Sequence, residues 1–405
     1  MHDVAFMFVS GFVTPEHSTI CRFIAMHKES IKSLFAQVLY VADNMKLIDY
    51  KMIVIDGTKI KANASKQFNG TIEDFKKKQA KLQGQIEKAL EKQANAEDEE
   101  DRNYWLAKQE RYTETCSKIS LFLTSAMEQK NDNNSERAQN ITDPDCRMLK
   151  SNGTFICGYN AQAAIDISSG LLLGADIVDQ TNDKQAFPAV VEAIKAAVPA
   201  TRMQCIDQST FLADNGYYSP DTFEYAGKHD LDVYISDRTT ETLYNNESNE
   251  KTKIGSKDCS IRRGKDGKIA LECPRTQVWQ TYSVSDYHGR TIYTFRTGER
   301  PTPCNGCRFY NRCVGATKNL KKDFEIDERS ITNSDLIKAH SVKLHSEKGK
   351  RIYSKRMPSI EHVFGDIKTN MGMRTFLRRG LERVSTEGSL IATCFNLRRV
   401  FILAH

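Results

Sequence analysis

The sequence predicts an α/β protein in which a mixed sheet with flanking helices is interrupted twice, once by an inserted helical hairpin and once by a cysteine-containing insertion. Three observations predict it. Residues 52–55 form a short apolar, mostly β-branched run, and residues 159–167 and 171–178 are further strand-like runs separated by a Ser-Ser-Gly turn. Apolar residues recur three and four apart between such runs, as at 186–197. Residues 65–140 shift to Lys, Glu, Gln and Ala with heptad-like spacing and no proline, which fits a helical hairpin better than sheet.

A chain of 405 residues is long enough for two or three folding units. With 40% hydrophobic and 27% charged residues, it has the composition of a globular chain rather than a disordered one. The net charge of +6 is unevenly placed: from Lys343 onward there are thirteen Lys or Arg against five Asp or Glu, so the basic surplus sits at the C-terminal end. No run of eighteen apolar residues occurs, which argues against a spanning helix and a membrane partner. The apolar opening at 4–13 lacks a basic leader and carries Asp3 just before it, so it reads as a buried structural segment rather than a signal peptide. Eleven cysteines, an odd number spread through a long chain, fit reduced thiols and a cytoplasmic location.

Taken in order, residues 1–50 read as an N-terminal helical segment, truncated at its start, with Ile31, Leu34, Phe35, Val38 and Leu39 at helical spacing. Residues 51–65 and 141–236 supply the sheet: a strand ending at Asp56, a hairpin over 159–178, a helix over 186–197, a run 211–213 leading into Asp214, a helix opening at Ser219-Pro220, and a strand over 231–235. The hairpin insertion spans 66–140, its first helix opening at Thr71-Ile-Glu-Asp74. Residues 237–330 form a cysteine-containing insertion subdomain. Residues 331–405 return as helices that complete the core and carry the basic patch; the last, over 385–403, would set Leu390, Cys394, Leu397 and Phe401 on one side.

Three acids stand out: Asp56 and Asp214 at the ends of strand-like runs, and Glu361 on an amphipathic helix. Rigid elements that bring three carboxylates together can hold Mg²⁺, or Mn²⁺, while leaving coordination positions for water and phosphate, as metal-assisted phosphoryl transfer requires. Singly, an Asp before Gly is more often a turn residue. Asp183 and Asp207 compete for the same role, but helix capping or turn formation accounts for both. Asp366 lies five residues beyond Glu361, about 140° around a helix, and should face away.

The stretches around Asp56 (Val-Ile-Asp-Gly-Thr-Lys), Asp214 (Leu-Ala-Asp-Asn-Gly-Tyr) and Glu361 (Ile-Glu-His-Val-Phe-Gly-Asp-Ile-Lys, continuing to Leu381) resemble DDE transposases of bacterial insertion sequences, in the IS1182 branch near the IS4 group. The resemblance runs from about residue 5 to residue 400. It implies a ribonuclease-H-like core with Asp56, Asp214 and Glu361 as the metal-binding catalytic triad. The family's Tyr, Arg, Glu, Lys signature is matched by Tyr353, Arg356, Glu361 and Lys368, with four residues rather than three between Arg356 and Glu361. The family's usual helical segment before residue 3 is absent from this sequence.

Lys368 shares a helix face with Glu361, and Arg374, Arg378 and Arg379 follow as a dense basic patch. With Tyr353 and Arg356 these are the candidate DNA-binding residues, supplying phosphate contacts without base specificity. Cys273, Cys304, Cys307 and Cys313 could share a structural Zn²⁺, with Cys259 as substitute ligand; reduced thiols or an iron–sulfur site are the alternatives. The expected function is Mg²⁺-dependent cleavage and strand transfer on double-stranded DNA, at terminal inverted repeats and a target, by a homo-oligomer. A nuclease that does not join DNA and a catalytically silent DNA-binding remnant are the other readings.

Overall fold

The computed structural model describes residues 7–8, 10–126, 136–151, 153–180, 183–237, 255–256, 259–263, 268–273, 277–287, 289–296, 307, 313 and 322–405. The helical segment expected over residues 1–50 holds two helices, α1 (His17–Met26) and α2 (Lys28–Asn44), broken at His27. Only α2 contributes to the core, through Ile31, Phe35, Val38, Leu39 and Ala42. The opening segment departs from expectation: Phe8, Phe12 and Val13 are exposed, because no described element covers them.

β1 (Met52–Lys61) is the axis of the main sheet. The two-residue strands β2 (Asn69–Gly70) and β3 (Gln139–Asn140) pair where the chain leaves and rejoins this sheet. Between them stand α3 (Ile72–Ala94) and α4 (Glu99–Ser125), packed along each other. The Thr71–Asp74 pair closes a capping box at the start of α3, and Asp98 caps α4. Phe75, Leu82, Ile119 and Phe122 form a small core of their own.

The remaining strands of the main sheet are β4 (Arg147–Ser151), β5 (Thr154–Asp166), β6 (Leu172–Val178), β7 (Thr210–Ala213) and β8 (Asp232–Ile235). Their order is β4-β5-β1-β7-β8, with β6 also on β5. β5 lies antiparallel to β1, whereas β7 and β8 run parallel to it, so the sheet is mixed. The helices between these strands are α5 (Ala186–Ala197), the short α6 (Met203–Asp207) and α7 (Pro220–Lys228). Crossovers between parallel strands need such helices. The arrangement resembles that of ribonuclease H.

A separate antiparallel sheet of five strands follows: β9 (Ser260–Arg263), β10 (Ile269–Glu272), β11 (Val278–Asp286), β12 (Thr291–Arg296) and β13 (Asp323–Asp327), in consecutive order. Leu271, Phe295, Phe324, Ile326 and Ile331 form its core. The chain then returns through α8 (Glu328–Thr332), α9 (Ser334–His345), α10 (Glu347–Tyr353), α11 (Arg356–Thr369) and α12 (Leu381–Ala404). Among the described residues no helix is long and apolar enough to cross a membrane.

Two further expectations change. β1 does not stop at Asp56: its parallel ladder with β7 ends at Ile55, but the antiparallel ladder with β5 continues to Lys61. And α12 turns the expected apolar side outward, leaving Cys394, Leu397 and Phe401 exposed while Val384, Glu387, Ala392, Phe395 and Asn396 are buried. The side chain of Asn396 explains the choice, since it accepts from the backbone N–H of Leu172 (2.9 Å) and donates to the carbonyl of the same residue (2.8 Å).

Candidate functional site

The register of β1 on β7 decides where the first two acids meet. Ile55 pairs with Ala213 in the parallel ladder, so the next residue on each strand, Asp56 and Asp214, lies side by side at the carboxyl end of β7. That edge of a parallel pair is where α/β sheets commonly bind ligands. Beyond Ala213 the chain turns sharply, with Asp214 capping the turn through a bond from the Gly216 N–H to its Oδ1 (2.8 Å). Asp56 Oδ1 accepts from the N–H of Gly57 at the same length.

Arg356, the first residue of α11, closes this pair from the helix side. Its Nη2 lies 3.0 Å from Asp56 Oδ2 and 4.0 Å from Asp214 Oδ2. Burial pushes the Asp56 carboxyl up to about 7, against the Arg356 charge, which lowers it, and with the neighbouring Asp214 adding to the rise. Asp214 is raised for the same first reason, opposed by Arg356 and assisted by Asp183. Two half-buried carboxylates and one buried guanidinium thus share this edge of the sheet.

α11 crosses the face of β1 that carries Asp56 and Thr58. Ile360, Val363 and Ile367 form its buried stripe. Lys368 reaches back to Thr58 Oγ1, and burial lowers its pKa while Asp56 opposes that shift. Glu361 lies two turns from Lys368 on nearly the same flank, about 20° away. It is exposed, and among the described residues no hydrogen bond or ion pair joins it to Asp56 or Asp214. Asp366 faces elsewhere, bound to Arg398 at 3.2 Å.

Tyr353 and Arg356 lie beneath the site rather than on an outer surface. Both are buried, and the Tyr353 hydroxyl donates to the carbonyl of Ala213, fixing the strand end that precedes Asp214. The other basic candidates follow in the loop between α11 and α12. That loop is fastened to β1 by bonds from Lys61 N–H to the Arg374 carbonyl (3.3 Å) and from Phe376 N–H to the Lys61 carbonyl (2.8 Å). Buried Glu387 accepts the N–H groups of Leu377 and Arg378. Arg379 Nε donates to the Asn63 carbonyl at 2.8 Å, and Arg374 and Arg379 remain exposed on the rim that this loop forms at the Lys61 end of β1.

From its sequence neighbours, Asp183 is expected to cap a helix or form a turn. Its backbone carbonyl does make a turn, accepting from Ala186 N–H, but Gln185 stands at the N-cap of α5. The Asp183 carboxylate instead points inward, with Oδ1 accepting from Asn160 Nδ2 (2.7 Å) and Gln162 Nε2 (2.6 Å). The signal was the presence of two amides, at alternate positions, in an otherwise apolar strand. Asp207, the other competitor, is paired with Lys195 at 2.7 Å.

Of the four candidate zinc ligands, Cys304 lies outside the described residues. Cys273, Cys307 and Cys313 are partly exposed. Among the described residues no group of three or more His, Cys, Asp or Glu side chains could hold a metal ion as placed. At the sheet edge the donors are hard carboxylate oxygens in a desolvated setting, a chemistry suited to Mg²⁺, and the charge they require is supplied here by Arg356.

No curated protein matches the chain, and no solved structure does. The family model of the transposase DDE domain matches residues 272–401, which include Glu361, Lys368 and the basic loop but neither Asp56 nor Asp214, so a DDE transposase domain is present over that stretch.

Proposed function

We propose that the chain is a DDE-type transposase of the IS1182 branch near the IS4 group, which cuts double-stranded DNA at insertion-sequence ends and joins the freed 3′-OH to target DNA. The observation that carries this reading is the meeting of Asp56 and Asp214 at one sheet edge, beneath a helix that lies inside the transposase-matching stretch. In the first step water attacks a phosphodiester and the 3′ oxygen leaves with the bonding electrons. In the second, that 3′-OH attacks a target phosphodiester and displaces its 3′ oxygen. A divalent ion, Mg²⁺ or Mn²⁺, held by Asp56, Asp214 and Glu361, would supply the charge stabilisation both displacements need.

The chain's own groups do the rest. Tyr353 fixes the strand end that carries Asp214, and Arg356 balances the acid pair's charge before DNA arrives. Lys368, held against Thr58, sets a positive charge beside Asp56 where a phosphate would lie. Arg374, Arg378 and Arg379 meet the DNA backbone along the rim. A Zn²⁺ on Cys273, Cys304, Cys307 and Cys313 would staple the antiparallel insertion, and a homo-oligomer would hold two DNA ends together.

The test uses linear DNA carrying the element's two ends, with Mg²⁺. The wild-type chain is expected to cut and join; Asp214→Asn is expected to bind DNA and do neither. Cleavage retained in the variant overturns the reading. Cleavage without joining by the wild-type chain marks a nuclease, and binding without cleavage marks a silent remnant.

A further inference from the structure

The β1–β5 register separates the acids by face. Asp56 pairs with Ala163, whereas Gly57 pairs with Gln162 and Lys59 with Asn160, so both amides lie on the side of the sheet opposite the Asp56 side chain. Asp183 joins them there. A Cβ on Gly57 would sit 2.7 Å from Gln162 Nε2 and 2.9 Å from Asp183 Oδ1, so the carboxylate occupies the space a side chain at 57 would fill. At the turn after β7, a Cβ on Gly216 would sit 2.9 Å from Asp214 Oδ1 and 3.1 Å from Asp183 Oδ2. Asp183 therefore packs directly behind the turn that aims Asp214.

The clamp continues beyond the carboxylate. Tyr217, the last residue of that turn, is fully buried and its hydroxyl donates to Gln162 Oε1, while the amide nitrogen of the same Gln162 is spent on Asp183. Asn160 and Gln162 are each only 1% exposed. Three buried polar side chains, Asn160, Gln162 and Tyr217, and the half-buried Asp183 carboxylate thus direct their hydrogen bonds at one another, an arrangement that is costly when broken and rigid when whole.

We propose that Asp183 is a positioning residue for the acidic pair: through Gln162 and Tyr217 it fixes the turn bearing Asp214, and its charge behind the sheet strengthens the site's hold on a divalent cation. This rests on the reading of Asp56 and Asp214 as cation-holding groups.

Mn²⁺ binding to the full-length chain, followed by the electron paramagnetic resonance signal of free Mn²⁺, tests this without DNA or turnover. Asp183→Asn is expected to weaken Mn²⁺ binding on the order of tenfold at unchanged stoichiometry, the size expected for removing one screened charge near a divalent ion. Asp183→Glu is expected to recover part of the loss, which a purely structural role would not require. Should Asp183→Asn fail to fold, Tyr217→Phe decides, with a few-fold loss expected from the loosened turn. Unchanged Mn²⁺ affinity in Asp183→Asn or, where that variant does not fold, in Tyr217→Phe, while Asp56→Asn abolishes binding, overturns the role of Asp183 alone. A wild-type chain that binds no Mn²⁺, or an Asp56→Asn variant that binds it equally well, overturns the underlying reading as well.

Discussion

His340 shows how far a single side chain can set the molecule's response to pH. It is 5% exposed, packed against Tyr218 and Phe223, and its Nε2 accepts from the backbone N–H of Ile235 at 3.0 Å. The proton of the neutral ring therefore sits on Nδ1, which is buried without a hydrogen-bond partner. Burial lowers its pKa to about 4, with Lys343 and His345 adding to the fall and Asp237 opposing it. Unfolded, the ring takes a proton near its ordinary value of about 6.5. Between these values the unfolded chain binds a proton that the folded chain refuses, so this stability is present above pH ~6.5 and is lost as pH falls toward ~4, up to about 3 kcal/mol in all. Because the raised Asp56 pKa acts in the opposite sense over the same range, the readout is a difference between two proteins: in urea unfolding from pH 7 to 4 the wild-type chain should lose stability relative to His340→Gln, and an equal slope in both proteins would remove His340 as the cause. None of this was legible in the sequence, because a lone histidine in helical spacing carries no mark of what it will face.

At the level of elements, the strands were more legible than the faces of the helices. The apolar run at 52–55 marked a buried strand because continuous β-branched residues suit a strand covered on both sides. Its extension to Lys61 was hidden by Gly57, which reads as a turn in isolation but here gives up its side-chain space to Asp183. α12 misled for a different reason. Periodicity records where apolar residues lie, whereas this helix docks through a polar one, Asn396, which satisfies both backbone groups of Leu172. Gly388 assists, since a Cβ there would come within 2.8 Å of Ile177. Asn396→Ala should leave a buried donor and a buried acceptor unpaired, at a cost of about 2–4 kcal/mol. Denaturant midpoints would measure it. A loss below ~0.5 kcal/mol would show that α12 is held by its apolar contacts instead.

Across the whole molecule, the count of basic residues at the C-terminal end overstated the surface free to meet DNA. Arg356 is buried against Asp56 and Arg399 is bonded to the carbonyl of Ser169, so both have work inside the fold, while the exposed Arg398 is paired with Asp366 at the surface. Sequence alone could not divide the set, because the partners lie on distant elements. The residues left near the acidic edge are Lys368 and the arginines of the loop after α11, which is pinned to β1 yet exposes Arg374 and Arg379. A loop fixed at its backbone with its charges outward loses little entropy on meeting phosphates, which favours it as the surface that meets DNA. Replacing Arg378 and Arg379 with Ala should weaken binding to unrelated DNA sequences about equally and make the dependence of log affinity on log salt shallower, by roughly 0.9 for each phosphate that is no longer neutralised. Replacing Arg398 and Arg399 should instead lower thermal stability and leave that slope unchanged. If the two pairs behave alike, the loop has no privileged role in holding DNA and the charge at this end of the chain acts only as a diffuse field.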